Sequence, residues 1–368
     1  MRILIVGAGI AGLAAAVDLH ATGHEVVVVE RSDELRAGGS PIDIRGDSID
    51  VVDKMGLGDL IRAGRIDMSE RVQFVDRTGA VVAALPYAEI GDSADDFEVS
   101  REDLLTILHG AVGRSTQLRF GESIAALDDD GSGVQVGFTS GLTERYDLVV
   151  GADGMHSATR RLVFGPEQQF LRHLGYYVGF AKLPGYVSNS RTNPMYNYPD
   201  RMIGIAAYRD KALAVYMFRS EWIDYDYHDL EVQRQILADA YTGHSEWRIP
   251  ELVEAARRDP DFYFDSVSQI HMPTWHRGRV VLVGDAAHCS SNLSGRGTSL
   301  ALTGTWFLAQ ALRDHPGDLR SALAQYEQDQ RPHAARSQAT AGPGGQRLLP
   351  ATQEEIDARN QTYRAAEI

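Results

Sequence analysis

A chain of 368 residues, 43% of them hydrophobic, carries enough apolar side chain for a large core and two subdomains. Its 36 lysines and arginines stand against 51 aspartates and glutamates, and the formal charge of −15 repels phosphate backbones and anionic membranes, so nucleic acid is not an expected partner. No run approaches the roughly 18 apolar residues of a membrane span, and the only cysteine, Cys289, cannot close an internal disulfide, which points to a reducing cytoplasm.

In chain order, Arg2-Ile-Leu-Ile-Val6 reads as a strand, Gly7-Ala-Gly9-Ile-Ala-Gly12 as a glycine turn into a helix, and Val26-Val-Val-Val29-Glu30 as a second strand ending in an acid. The segment carries one basic residue, and its small residues form this turn rather than a signal-peptide cleavage site. Each glycine has a mechanical task in a dinucleotide site. Gly7 allows the tight turn, Gly9 lets backbone N–H groups approach a pyrophosphate at the helix start, and Gly12 lets the helix lie close on the sheet. Glu30 can accept hydrogen bonds from both ribose hydroxyls of an adenosine, and Arg31 beside it is counted among the cofactor contacts.

Arg71–Leu85 alternates around Thr78-Gly79 and predicts a hairpin, Arg101–Val112 has helical periodicity, and Leu118–Tyr146 reads as short strands around Asp130-Gly131. Leu148-Val-Val-Gly151 is a buried strand returning to the main sheet. The stretch from 170 to 275 is strand-rich, and ten of the fifteen tyrosines lie between Tyr176 and Tyr241. Arg279–Gly284 is another buried parallel-type strand and Ser299–Leu312 a helix, so the middle part is inserted between two pieces of one sheet. Gly342–Gly345 reads as a loop before a C-terminal helix at about Gln353–Ala366.

Two further motifs decide the cofactor. One is Asp147-Leu-Val-Val-Gly-Ala-Asp153-Gly154-Met-His-Ser157-Ala-Thr-Arg160; the other is Gly284-Asp285-Ala-Ala-His288, preceded by Trp275 and followed by Gly295-Arg-Gly297-Thr298-Ser299. With all three motifs in order, the chain resembles the FAD-dependent aromatic hydroxylases, single-component monooxygenases of the p-hydroxybenzoate hydroxylase type, and most of all the compact tetracycline-inactivating kind. The resemblance covers nearly the whole chain and is weakest over 165–270. It implies an α/β fold: a Rossmann-like FAD-binding domain of 1–70, 98–165 and 276–330, with an inserted strand-rich substrate domain of 71–97 and 166–275, and a C-terminal loop and helix over 331–368.

The residues support that assignment on their own chemistry. Asp285 follows a strand, where its carboxylate can accept from a ribityl or ribose hydroxyl; the alternative is a plain helix N-cap. Gly295 and Gly297, with Thr298 and Ser299, precede or open a helix whose free N–H groups can face the pyrimidine end of an isoalloxazine and stabilise its negative charge on reduction. Asp153 makes a turn, and Arg160 opens a helix that resembles the family's flavin and nicotinamide contact, or is a surface ion pair. The resemblance places Arg101 against the FAD phosphates and runs Asp43 and Arg45 beside the flavin ring, where Arg45 guides the ring or the nicotinamide donor; a solvated helix start and a plain loop arginine are the alternatives.

No second glycine fingerprint exists for NAD(P)H, which fits enzymes that bind this donor transiently. One departure stands out. The family usually carries a proline shortly after Gly-Asp, over the oxygen-reactive face of the ring, and this chain has Asn292 there. Its amide could hold a peroxide or a substrate carbonyl, or the change could impair oxygenation. Cys289 is expected to be inert packing. Tyr196, Tyr208, Tyr216 and Phe218 are expected to line a flat, partly polar substrate pocket, although tyrosine is also an ordinary strand residue. His173, His228 and His271 are weak candidates for a base. No metal site is expected.

The implied activity is hydroxylation of an aromatic, phenolic or polyketide-like small molecule by NAD(P)H and molecular oxygen through a flavin C4a-hydroperoxide, in a monomer or homodimer. Two rivals remain open at this point: a flavin dehydrogenase or oxidase without oxygen insertion, and a FAD-bound non-redox cyclase.

Overall fold

The computed structural model describes residues 1–35, 38–66, 71–85, 93–186, 192–209 and 211–365. The boundary expected at residue 70 and the helix end at Ala366 lie outside them. β1 (Arg2–Val6), α1 (Ile10–Ala21) and β2 (Glu25–Glu30) make a parallel crossover unit. Then come β3 (Ile42–Ile44), α2 (Asp47–Lys54), α3 (Gly58–Ala63), β4 (Arg65–Ile66), the hairpin β5 (Arg71–Val75) and β6 (Val81–Ala84), and β7 (Phe97–Val99). Ser100 caps α4 (Arg101–Ala111) by accepting from the Asp103 N–H at 3.2 Å. β8 (Gln117–Phe120) is followed by β9 (Ile124–Asp129), β10 (Val134–Phe138), β11 (Thr143–Tyr146), β12 (Leu148–Gly151) and α5 (Ala158–Val163).

The insert supplies β13 (Leu171–Lys182), β14 (Thr192–Tyr198), β15 (Arg201–Tyr208), β16 (Lys211–Arg219), α6 (Leu230–Ala240), α7 (Ile249–Arg258) and β17 (Tyr263–Ile270). The chain closes with β18 (His276–Arg277), β19 (Val280–Leu282), α8 (Asp285–His288), α9 (Gly297–Asp314), α10 (Leu319–Leu348) and α11 (Gln353–Ala365).

The main sheet runs β18-β19-β12-β1-β2-β8, parallel except at β18. Its strands read as unbroken apolar runs because both faces are covered. Ile3, Ile5, Val26 and Val28 pack with α1, α4 and α9, whereas Leu4, Val6, Val27 and Val29 pack with the β9–β11 sheet through Val134, Val136, Phe138 and Tyr146. A small sheet β3-β7-β4 stands beside it, and a seven-stranded sheet β17-β13-β16-β15-β14-β5-β6 forms the second unit. The inserted middle and the returning strand β19 are thus as expected, and no helix among the described residues is long and apolar enough to cross a membrane.

Two expectations change. Gly342–Gly345 is the last part of α10, not a loop. Its composition disfavours helix, but a Cβ on Gly344 would sit 2.6 Å from the Leu293 carbonyl oxygen, and one on Gly345 2.9 Å from the Tyr176 ring. Glycine here permits close packing, and that packing holds the helix.

The second correction concerns the substrate wall. The seven-stranded sheet has an outer face packed on α6 and α7, and an inner face that meets Leu293, Leu349 and Tyr363. Tyr196, Tyr216 and Phe218 are all on the outer face. The Tyr216 hydroxyl donates to the Leu252 carbonyl, Phe218 stacks on Tyr177 at 5.4 Å, and Tyr196 lies 6.3 Å from Trp247. Only Tyr208 faces inward, with its hydroxyl donating to the Gly39 carbonyl at 3.3 Å. Tyr216→Phe therefore removes one buried hydrogen bond to a carbonyl that α7 still satisfies, an expected loss of about 0.5–1.5 kcal/mol. Chemical denaturation should show it, while turnover stays at the wild-type rate; lost turnover with unchanged stability would return Tyr216 to the pocket.

Candidate active site

The glycine turn after β1 is built as its spacing requires. Gly7 has φ +103°, and a Cβ there would lie 2.5 Å from the Ala152 carbonyl oxygen. A Cβ on Gly12 would lie 1.8 Å from the Gly7 carbonyl oxygen, so α1 can approach the turn only without one. Around Gly9 no atom of the described residues beyond its chain neighbours lies within 4 Å of the equivalent point, which leaves the helix start open to a ligand. The Glu30 carboxylate accepts from the N–H groups of Ala8 and Ser32, each at 2.9 Å. Those two bonds fix the carboxylate at the strand end and leave further lone pairs for hydroxyl donors. Arg31 next to it is exposed. Arg101, the first residue of α4, lays its side chain on Gly39, and its buried Nε has no partner among the described residues. A buried guanidinium nitrogen of this kind suits an anion.

The two acids of the later motifs differ in role. Asp153 is used locally: it accepts from the Ser157 hydroxyl at 2.5 Å and from the Thr159 N–H and hydroxyl at 2.9 and 3.0 Å. Asp285 opens α8 after Gly284, whose φ of +58° turns the chain where a Cβ would meet Ala11 at 2.7 Å. Its side chain is accessible at the bottom of a cleft, where the surrounding protein still pushes its titration upward against the pull of Arg101. Cys289 is buried and donates to the Ser268 carbonyl at 3.7 Å; burial raises its thiol, and packing is its role. Arg160 is not a surface residue. It is fully buried and donates to the carbonyls of Met155 and Ala286 and to Glu167 at 2.7 Å.

At the ring end, Arg45 pairs with Asp43 at 2.9 Å and lies against Gly295, 3.2 Å from where a Cβ would be. The Arg45 N–H is held by Ser48 and Ser299 hydroxyls, both at 3.1 Å. Among the described residues no side chain caps α9 and none lies within 4 Å of the space at Gly297, so the first-turn N–H groups of Gly297 and Thr298 remain available. Asn292 begins a short 3₁₀ turn after Ser291 (φ +71°) and is exposed. Where the family's proline would stiffen this loop, Ser294 accepts from the Arg296 N–H at 3.1 Å and donates to the Ser291 carbonyl at 2.8 Å. The pieces fit FAD: an open helix start and arginine for the pyrophosphate, Asp285 for the ribityl chain, and an uncapped helix for the ring.

Some participants were not legible in the sequence. Glu98 is the cross-strand partner of Asp43, and burial next to that carboxylate raises it to about 7. On the inner face Tyr263 pairs with Phe180 at 6.0 Å and is half exposed, with Arg101 and Asp285 in the electrostatic surroundings of its hydroxyl. By contrast His173 bonds the Ser220 carbonyl, His271 bonds Gln269, and His228 sits in an exposed loop. The histidine that matters is His156, in the Asp153 turn. It lies 2.9 Å from Glu167 and 3.3 Å from Asp265 and stacks on Tyr227 at 4.2 Å.

Burial lowers the titration of His156, but the two carboxylates outweigh it and hold the imidazole at about 9. Its folded value thus exceeds the ordinary one of 6.5, so its stabilisation is complete below about pH 6.5 and is lost as pH rises through 9. Denaturation curves from pH 6 to 9.5 should show falling stability, and His156→Gln should flatten that slope. An unchanged slope in the variant would rule out His156 as its source.

Comparison with known proteins agrees with this geometry. Residues 1–341 match the family model described as FAD binding domain. An uncharacterized protein of Mycobacterium tuberculosis is 37% identical over 96% of both chains. A flavin-dependent monooxygenase of an unknown prokaryotic organism is 34% identical, covering 98% of this chain and 94% of that one. The crystal structure of tetracycline destructase Tet(55) superposes with a TM-score of 0.85 at 34% identity, over 99% of this chain and 94% of the other. The three cofactor motifs, the fold that assembles them and these relatives agree: the chain belongs to the FAD-binding flavoprotein monooxygenases of the aromatic-hydroxylase type.

Proposed function

We propose that this protein uses NAD(P)H and molecular oxygen to hydroxylate an electron-rich aromatic, phenolic or polyketide-like small molecule. Bound FAD supplies hydride acceptance and oxygen activation. The observation that carries the proposal is the uncapped start of α9 beside Arg45, a cluster of N–H donors and positive charge at the ring end of the cleft. Arg101 and the open Gly9 turn hold the pyrophosphate, Glu30 the adenosine ribose, and Asp285 the ribityl chain. Arg45, kept in place by Asp43, guides the ring and the nicotinamide donor.

The substrate lies against the inner face of the seven-stranded sheet, where Phe180 and Tyr263 offer flat aromatic surface and Tyr208 closes the far edge. A wall of this kind excludes water and suits a fused-ring phenol or enol. Similarity to a tetracycline destructase supports that class. Glu98, titrating at about 7 beside Asp43, is the carboxyl best tuned to take a proton from such a substrate. Asn292 presents an amide donor from the turn leading to Gly295, where it can bond an oxygen atom in transfer or a substrate carbonyl.

Incorporation of oxygen-18 from labelled dioxygen into product tests the reaction class, since a dehydrogenase, an oxidase or a cyclase leaves the product unlabelled. For the cofactor, Asp285→Ala should weaken FAD binding by about 1.5–3 kcal/mol, roughly ten- to a hundredfold, whereas Asp153→Ala acts through its turn and weakens it less. Fluorimetric titration giving equal affinities would reverse those roles. For Asn292→Pro, flavin reduction should stay within a few-fold of wild type while oxygen transfer slows about a hundred- to thousandfold and more hydrogen peroxide escapes. Unchanged peroxide release would make Asn292 a loop residue only.

A further inference from the structure

The first turn of α4 carries three charges in succession, Arg101, Glu102 and Asp103. At about 100° per residue they leave the helix in three directions. Arg101 acts electrostatically on Asp285 and on the Tyr263 hydroxyl, which places its guanidinium toward the cleft. Glu102 and Asp103 meet the insert instead, at the turn that joins β15 to β16.

Three residues of that turn make the junction. Tyr208 and Lys211 are cross-strand partners, so Arg209 lies in the short connection between them, at a φ of +52° that a non-glycine residue seldom adopts. Its guanidinium forks between two elements of the cofactor-binding unit: the Asp103 carboxylate at 2.7 Å and the Gly64 carbonyl after α3 at 2.8 Å. Lys211 pairs with Glu102. The Tyr208 hydroxyl donates to the Gly39 carbonyl, and a Cβ on Gly39 would sit 3.0 Å from the Arg101 Cδ. Burial raises the titration of that hydroxyl, and all four charges act on it, so the contacts form one cluster. The hairpin tip thus reaches both the helix turn that carries Arg101 and the glycine on which its side chain lies.

The paired side chains are 32–50% exposed, which makes each pair weak by itself and open to screening by salt. The buried Arg160 and His156 contacts elsewhere between the two units are screened much less.

We propose that the β15–β16 tip is a salt-sensitive clasp that positions Arg101 on the cofactor, with Arg209 and Lys211 as positioning residues that retain FAD through it. The clasp rests on the assignment of Arg101 to the FAD pyrophosphate made above.

Release of FAD from the loaded protein, followed by the fluorescence of the freed flavin, tests this. In low salt, Arg209→Gln with Lys211→Gln should release FAD about three- to tenfold faster than wild type, the scale of two exposed ion pairs. The two rates should converge at about 0.5 M NaCl, because screening removes the same attraction. Lys211→Arg keeps both charges and should hold FAD as wild type does. On an Arg101→Gln background the glutamine pair should add nothing further, since it acts through Arg101. Unchanged release in the glutamine pair, a rate ratio independent of salt, release from Lys211→Arg as fast as from Lys211→Gln, or a full further increase on the Arg101→Gln background would each overturn the clasp alone. Wild-type release from Arg101→Gln itself would overturn the pyrophosphate assignment and the clasp with it.

Discussion

The guanidinium of Arg160 is the interaction on which the arrangement depends. A charge removed wholly from water costs several kcal/mol unless its donors are used. Here they reach the Met155 carbonyl in the Asp153 turn, the Ala286 carbonyl in α8, and Glu167 at the approach to β13. The turn before α5, the approach to β13 and the distant α8 are thereby tied to one planar group. Asp153 and Asp285 each sit within two residues of an anchored carbonyl. Glu167 extends the network to His156, and His156 extends it to Asp265 in the inserted sheet. The seam between the two units is therefore a chain of charges whose members cannot be left without partners, and that requirement fixes the insert relative to the cofactor cleft.

A similar external restraint shapes the Asn292 turn. Proline would set its backbone by covalent geometry. In this chain the backbone is held by the hydroxyls of Ser290 and Ser294, which lie 2.8 Å apart, and by α10 pressing Gly344 onto Leu293. The turn thus owes its form to hydrogen bonds and to a helix from the far end of the chain. That helix also rests on Tyr176 through Gly345, so the ring-end loop and the inner face of the sheet share one support.

What could be read from the sequence was what local sterics decide. Gly7 and Gly12 are forced by carbonyl oxygens within the same motif region or the adjoining strand, and the apolar runs of β1, β2, β12 and β19 follow from a sheet covered on both faces. Asp285 and the Gly297 start stand where buried strands end and helices begin, whereas Arg101 is read from the family resemblance. The substrate wall was hidden for a physical reason. The inserted sheet is buried on both faces over much of its area, so period-two alternation lacks a polar side to mark which tyrosines point inward. Tyr216 and Tyr263 are alike in sequence and opposite in orientation. His156 and Glu98 were equally hidden, because their titration depends on Asp265 and Asp43, which only the fold brings near. Gly342–Gly345 resembled a loop because helix propensity is local, while the close approach that overrides it is not.

The order of strands in the main sheet bears on how the molecule is made. β1 meets β2 across a single helix, but its other neighbour, β12, begins at Leu148, and β12 then waits for β19 at Val280–Leu282. On the ribosome, the N-terminal crossover unit thus emerges with an unpaired parallel edge until β12 is made, and the apolar edge of β12 then stays open until β13–β17 have been synthesised and β19 follows. Parallel pairing over such separations is slow, and an open apolar edge recruits other chains. The same interleaving leaves the nascent chain with an open apolar strand edge until β19 has been made.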